Sequence, residues 1–282
     1  MHNVVTILAW VGCAGYVVAA GYALYFLRTG RQSLLRPTAL GLFTGGFSLL
    51  GALVLRGFIS HRLPLTGARD ALSLLIILAT AAALPVARRP RAASLLCFHA
   101  PLLALLSLIT IFLTSDTLAT PAHQLRSMPL ILHVGVAFLA YAFFLSGGLT
   151  SAAYVIQARR IKSHSEAGFF QYLPSLEELD QSLWSSITKG YVLFTATLFI
   201  GWAWAWAERN LLGDKWYLAP KVLLSLVMVL FYAVCFHARR RGWLRGPQLA
   251  YWVLMGFCLF FGLYLVLELT GLRTYYFWGN AQ

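Results

Sequence analysis

A chain of 282 residues in which 60% are apolar and only 11% are charged is not an ordinary soluble domain, where roughly a quarter of residues carry charge. Mean hydropathy is +0.73, and the apolar residues come in runs of about 20, enough to cross some 30 Å of hydrocarbon as helix. The net charge of +13 does not point to nucleic acid, because the basic residues sit in short segments between apolar runs and build no face able to track a phosphate backbone.

Only helices and closed barrels satisfy their backbone groups in lipid, and runs this long without alternation are helical. Spans are expected at 3–27, 38–58, 68–87, 92–114, 129–157, 189–208, 217–237 and 248–270. They predict an all-α integral membrane protein, a bundle of eight transmembrane helices forming one domain over 1–282, with no internal repeat. Only Met1, His2 and Asn3 precede the first run, so a cleavable signal peptide is not expected. Cys13, Cys97, Cys235 and Cys258 lie inside apolar runs without a C-x-x-C pair and read as small hydrophobes.

Loop charge sets the expected orientation. The segments around 28–37, 88–91, 158–189 and 238–247 hold fourteen of the 22 basic residues, on one face. Arg56, Arg62, Arg69, Arg126, Arg209, Lys215, Lys221 and Arg273 belong to the other. The rich face is cytoplasmic by the positive-inside rule, which places both ends outside. The longest connection, 158–188, is expected to be a cytoplasmic loop carrying a short amphipathic helix on the membrane surface. Ser175 and Glu178 have capping-box spacing, and Leu176, Leu179, Leu183 and Ile187 recur at helical intervals.

Histidine at membrane depth is costly without a partner. His133 opens the fifth span in LHVGVAFLAYAFFLSGG, beside small residues that would let a bulky group approach. It reads either as an axial haem ligand at the outer face or as an interfacial histidine bonded to a neighbour. His61 ends the second span on the same side and could face the same pocket. His99, within the fourth span, reads as a hydrogen-bonded packing residue, and His237 as part of the inner basic rim. The sixth span ends GWAWAWAERNLLGDKWYLAPK, giving an outer tryptophan-rich loop at 208–217. Trp202 and Trp206 share a helix face and Trp204 points roughly opposite, so with Trp216 they form an aromatic belt or a shelf for a planar macrocycle. Arg56, Lys221 and Arg273 are outer basic groups that either snorkel or pair with an anionic ligand such as a haem propionate.

These motifs resemble the cytochrome c assembly family, the CcsA/CcmC haem-handling proteins, and especially its YpjD- and HemX-like branch. The resemblance runs from about residue 56 to 276. HRLPLTGARDAL is similar to the family's G-H-x-P-L-x-x-x-Y-E-S-L, with Pro64 and Leu65 kept and Asp70 in place of the glutamate. HVGVAFLAY resembles H-V-x-x-x-x-x-x-Y, which implies that His133 stands where the family ligates external haem. LPSLEELDQSLWSSITKGYVLFTATLFIGWAWA resembles the family's L-P-x-L-E-x-L-D entry and the span after it, FHARRRGWLRG its L-H-T-R-x-x-R-G-W-R-G, and GLRTY its G-L-H-S-Y. Against the family's tryptophan-rich loop, Trp216, Pro220 and Lys221 are kept, whereas Leu218, Ala219 and Val222 replace tryptophan, aspartate and glutamate. Arg273 stands in place of the second external histidine, and Arg62 at another family histidine position with His61 one residue off.

The resemblance implies a multi-pass protein of the bacterial inner membrane. It would bind or present haem at its outer face in cytochrome c assembly, delivering rather than catalysing. Weakly held haem b is the expected cofactor. His133 and His61 are the candidate iron ligands, with Trp202, Trp206, Trp216, Lys221 and Arg273 around them. Partners would be haem, other assembly proteins or a haem-synthesis enzyme, and membrane lipid, with no nucleic acid. Two alternatives stand beside this: a HemX-like regulator of tetrapyrrole synthesis that needs no haem ligand, and a transporter of another amphipathic substrate.

Overall fold

The computed structural model describes residues 2–60, 68–88, 92–113, 128–163, 172–212 and 216–269, and every regular element among them is helical. In chain order the α-helices are α1 (His2–Thr29), α2 (Leu35–Ser60), α3 (Ala68–Ala83), α4 (Leu96–Phe112), α5 (Met128–Lys162), α6 (Leu176–Ala207), the single turn α7 (Arg209–Leu212), α8 (Pro220–Arg240) and α9 (Pro247–Leu269). Short 3-10 turns lead into α2, α4 and α8 and follow α3. Eight of the helices are long and apolar enough to cross a membrane, as expected. His61, Arg62 and Arg273 lie outside the described residues.

Helices in hydrocarbon gain little by burying apolar surface against each other, so close approach depends on small residues. The α1–α2 pair shows this. A Cβ on Gly15 would lie 2.9 Å from the Gly45 backbone nitrogen, and one on Gly45 would lie 3.0 Å from the Gly12 carbonyl. The two backbones therefore touch. α4 lies against α1, while α3 joins this first group to α5. Tyr16 and Thr80 share a buried 2.8 Å hydrogen bond between α1 and α3, and Thr80 also donates to the Ile76 carbonyl one turn back.

The second group forms around α5, which packs on α6 and α9 while α8 closes against α6 and α9. Phe144, Phe194, Met228, Tyr232 and Val253 are among its buried residues. Here too glycine sets the contact: a Cβ on Gly190 of α6 would meet the Phe144 ring at 2.8 Å. The pairs His133–Gly201, Phe144–Gly190 and Gly147–Ile187 each sum to 334, which is the mark of an antiparallel pair.

One expectation is corrected at this point. The capping box is present: Glu178 N–H donates to Ser175 Oγ at 3.2 Å, and Ser175 N–H donates to Glu178 Oε2 at 2.9 Å. The helix it starts is not a separate element on the membrane surface. It continues without a break through Lys189 to Ala207, over 32 residues. Leu179, Leu183 and Ile187 face the protein core and are fully buried, so their stripe was a packing face and not a lipid-facing one. α5 likewise extends through Arg159, Arg160 and Lys162. At 1.5 Å per residue the two helices reach about 52 and 48 Å, well beyond the hydrocarbon.

The glycine contact yields a direct test. Gly45→Leu forces a side chain into the α1 backbone, and overpacking of this kind costs roughly 1–3 kcal/mol. The expected result is a fall of several degrees in the melting temperature of the detergent-purified protein, with Gly21→Leu, which meets no neighbour within 4 Å, as the silent control.

Candidate functional site

Eight alternating spans bring the ends of α2, α4 and α6 to the same end of the bundle as the starts of α3, α5 and α8. His133, the α6 residues Trp202, Trp204 and Trp206, Lys221 and Arg56 therefore share one end.

His133 is half-buried in the second turn of α5, against α6. Its Nδ1 is 2.8 Å from the Thr197 carbonyl oxygen, which can only accept, so Nδ1 carries the proton and donates it. Thr197 answers in the other direction, with Oγ1 donating to the His133 carbonyl at 2.7 Å. The Thr197 hydroxyl oxygen also lies 3.2 Å from Nδ1. Gly201, one turn further along α6, makes room for the ring: a Cβ there would sit 2.4 Å from His133 Cε1. The imidazole is thus laid across the α6 backbone in a fixed tautomer. Its remaining nitrogen, Nε2, has a lone pair and no hydrogen-bond partner among the described residues.

Neither Thr197 nor Gly201 was singled out by sequence. The available signal was their spacing of four in TATLFIG, which puts a hydroxyl and a gap on one face of a helix.

The tryptophans divide as their spacing requires. Trp202 and Trp206 point away from α5 and are 51% and 65% exposed. Trp202 meets Trp216 edge to face at 5.8 Å, and the Arg209 guanidinium lies 5.2 Å over the Trp206 ring. Trp204 turns inward. Its Nε1–H is buried without a partner among the described residues. Trp202 and Trp206 consequently do not share the His133 face of α6; Trp204 lies closer to it around the helix. Lys221 is exposed in the first turn of α8, as is Trp216 in part just before it.

Arg56 at this end is paired with a carboxylate. Arg56 Nη1 lies 2.8 Å from Asp70 Oδ1, tying the end of α2 to the start of α3, and Asp70 is only 4% exposed. Removing one member of such a buried pair strands the other, so Arg56 is a structural partner of Asp70. His99 holds the place expected of a packing residue: Nδ1 meets the Leu95 carbonyl at 2.9 Å and Nε2 the Ser146 hydroxyl at 3.3 Å. Among the described residues no cluster of three or more histidine, cysteine or acidic groups could hold a metal by itself.

Comparison with known proteins places the chain among its relatives. A family model described as cytochrome C assembly protein matches residues 63–272. Protein HemX of Brevibacillus brevis is 26% identical over 59% of this chain and 58% of its own length. The cytochrome c biogenesis protein CcsA of Synechococcus sp. (strain RCC307) is 31% identical over 57% of this chain and 58% of its own. The CcsA of Prochlorococcus marinus (strain NATL1A) is 28% identical over 81% and 80%. The chain thus spans under two thirds of the first two relatives and four fifths of the third. With well over half of its residues matched, and with eight helices able to span a membrane, the chain belongs to the cytochrome c assembly protein family.

Proposed function

We propose that this protein takes part in cytochrome c assembly in the bacterial inner membrane, holding haem at the outer end of the bundle with His133 as axial ligand. The observation that carries this reading is the orientation of one ring. A ligating histidine characteristically donates its second ring N–H to a carbonyl or carboxylate, which fixes its tautomer and makes the free nitrogen more basic. His133 does this through Thr197, which leaves Nε2 without a hydrogen-bond partner among the described residues.

The remaining residues fit a flat, anionic, amphipathic ligand. Trp202, Trp206 and Trp216 offer aromatic surface at this end, and Lys221 offers a cation for a carboxylate. His61 and Arg273 are proposed as further contacts from sequence position alone. With arginine at 273 in place of a second ligand, one protein nitrogen holds the iron unless His61 supplies another. Haem, when bound, supplies the iron centre and the vinyl groups on which covalent attachment to an apocytochrome depends. The protein's part is to bind and orient it at the outer face. Weak retention follows from a single ligand.

The decisive measurement is the visible absorption and magnetic circular dichroism of haem-reconstituted protein. His133→Ala is expected to lower haem affinity at least tenfold and to change the axial-ligand bands; His61→Ala changes the spectrum only if it supplies the sixth ligand. Affinity and spectra unchanged in His133→Ala would reject the axial role. No specific haem binding by the parent protein would instead favour a regulator of tetrapyrrole synthesis resembling HemX, which needs no ligand.

Thr197 gives a finer test. Thr197→Val keeps the shape and loses the hydroxyl, a loss of about 1 kcal/mol for a typical hydrogen bond. Haem retention should fall by a factor of a few and recover in Thr197→Ser.

Orientation is tested separately. Cysteines introduced at Ser163 and Tyr217, both exposed and at opposite ends of the bundle, should differ toward an impermeant maleimide in intact cells. Residue 217 should be modified and 163 protected; the reverse pattern would invert the proposed topology.

A further inference from the structure

A second site lies at the end of the bundle opposite His133, in the turn between α8 and α9. α8 has 21 residues and α9 has 23, about 31 and 34 Å as helix and close to the thickness of the hydrocarbon. α5 and α6 overshoot the bilayer, but these two end near its boundary, so residues 241–246 emerge at the level of the lipid headgroups. The backbone there is fixed. Arg241 N–H donates to the His237 carbonyl and Gly242 N–H to that of Arg239, while Trp243 N–H donates to the Ala238 carbonyl at 2.8 Å. Gly242 and Gly246 hold positive φ of 77° and 53°, a region other residues rarely adopt.

Two guanidinium groups are folded onto this turn. That of Arg241 lies 5.1 Å over the Trp243 ring, and a Cβ on Gly242 would lie 2.5 Å from Arg245 Nη2. Both arginines are exposed, and so is Trp243, at 67%. Neither has a carboxylate partner among the described residues, in contrast to Arg239, which Asp180 holds. A loose run of arginines is ordinarily a solvated edge in which each side chain finds its own place. Here a rigid turn gathers two of them about one indole. Val227, Leu230 and Val234 are each more than half exposed along one face of α8, and helical spacing puts Arg241 at the head of that stripe.

We infer that this turn is a clasp for the headgroup of an anionic phospholipid, with Arg241 and Arg245 on its phosphate, Trp243 beside its glycerol, and an acyl chain along Val227, Leu230 and Val234. Guanidinium groups recognise phosphate oxygens through forked hydrogen bonds. An exposed indole settles at headgroup level, and the apolar stripe below takes a chain that a soluble phosphate lacks. The two unpaired cations set the sign: a zwitterionic choline lipid would bring a further cation to the cluster, whereas an anionic lipid brings none. Neither haem binding nor the orientation of the bundle enters into this assignment.

Native mass spectrometry of the whole protein with equimolar phosphatidylglycerol and phosphatidylcholine of identical acyl chains reads the preference from the retained adducts. The anionic lipid should be retained severalfold better, since one basic side chain at an anionic surface changes association by about fivefold. Arg241→Gln combined with Arg245→Gln should remove most of that preference. Arg28→Gln combined with Arg31→Gln, an equal loss of charge at exposed residues of the same end, should leave it intact. A second measurement uses phosphatidylcholine nanodiscs containing a small share of lipid brominated on its acyl chains close to the headgroup. Brominated phosphatidylglycerol should quench the protein's fluorescence more than brominated phosphatidylcholine, and Trp243→Phe should remove the difference. Trp243 is exposed, so this variant keeps the fold even if the arginine variants do not. No lipid preference in the wild type would leave the turn to an acidic protein partner and overturn the assignment. Equal losses in the two double variants, or a quenching difference that survives Trp243→Phe, would overturn it as well.

Discussion

The contact between α5 and α6 is the interaction on which the rest of this bundle depends. α5 is the wall shared by both groups of helices: Ala142 and Leu145 belong to the core formed with α1 and α4, while Ala140 and Phe144 belong to the core formed with α8 and α9. Its register against α6 is fixed at several depths. Thr197 and Gly201 receive His133 at one end, Gly190 receives Phe144 in the middle, and Gly147 lies against Ile187. Dispersion between close backbones, rather than apolar burial, supplies the attraction in lipid. A slip of one residue would turn each ring away from its gap.

Polar groups at membrane depth follow the same economy. Most of those described bond locally, as Thr38, Ser73, Thr150 and Ser151 do by donating to the carbonyl one turn earlier. A few cross between helices, and these fix partner choice: Tyr16 to Thr80, His99 to Ser146, Arg56 to Asp70. Against that background the open nitrogen of His133 stands out, as do the buried Gln157 Oε1, Thr188 Oγ1, Trp204 Nε1 and Tyr232 hydroxyl, which have no hydrogen-bond partner among the described residues.

Much of the architecture could be read before the structure. Eight spans follow from apolar run lengths alone, and the Ser175–Glu178 cap follows from spacing. The surface helix expected at 158–188 failed for a definable reason. The stripe of Leu179, Leu183 and Ile187 has the same period whether it faces lipid or protein, and only the neighbours at that depth decide between them. Lys189 suggested a boundary, yet its ammonium lies 5.5 Å over the Phe143 ring and the helix passes it intact. His133 was recognisable from its place at the head of a span, and the opposition of Trp204 to Trp202 and Trp206 from helical geometry. Thr197, Gly201 and the Arg56–Asp70 pair were not, because each depends on which helices become neighbours, and local sequence carries little of that information.

Helices longer than the bilayer give the site a rigid base. The far end of α6, beyond the hydrocarbon, is pinned to α8 by two hydrogen bonds from Arg239 to Asp180, and the same guanidinium lies 5.7 Å over Trp184. The far end of α5 is tied to α9 where Arg159 donates to the Tyr251 hydroxyl at 3.2 Å. Each of these contacts is partly exposed and individually worth little. Their value is geometric. α5 and α6 pack on each other at several depths, so movement of one along the other would have to break the glycine seats and the His133–Thr197 exchange together. A single imidazole can hold a ligand reproducibly only if its own helix cannot slide, and here the ties lie about 39 Å along α5 from His133, at Arg159, and about 26 Å along α6 from Thr197, at Asp180.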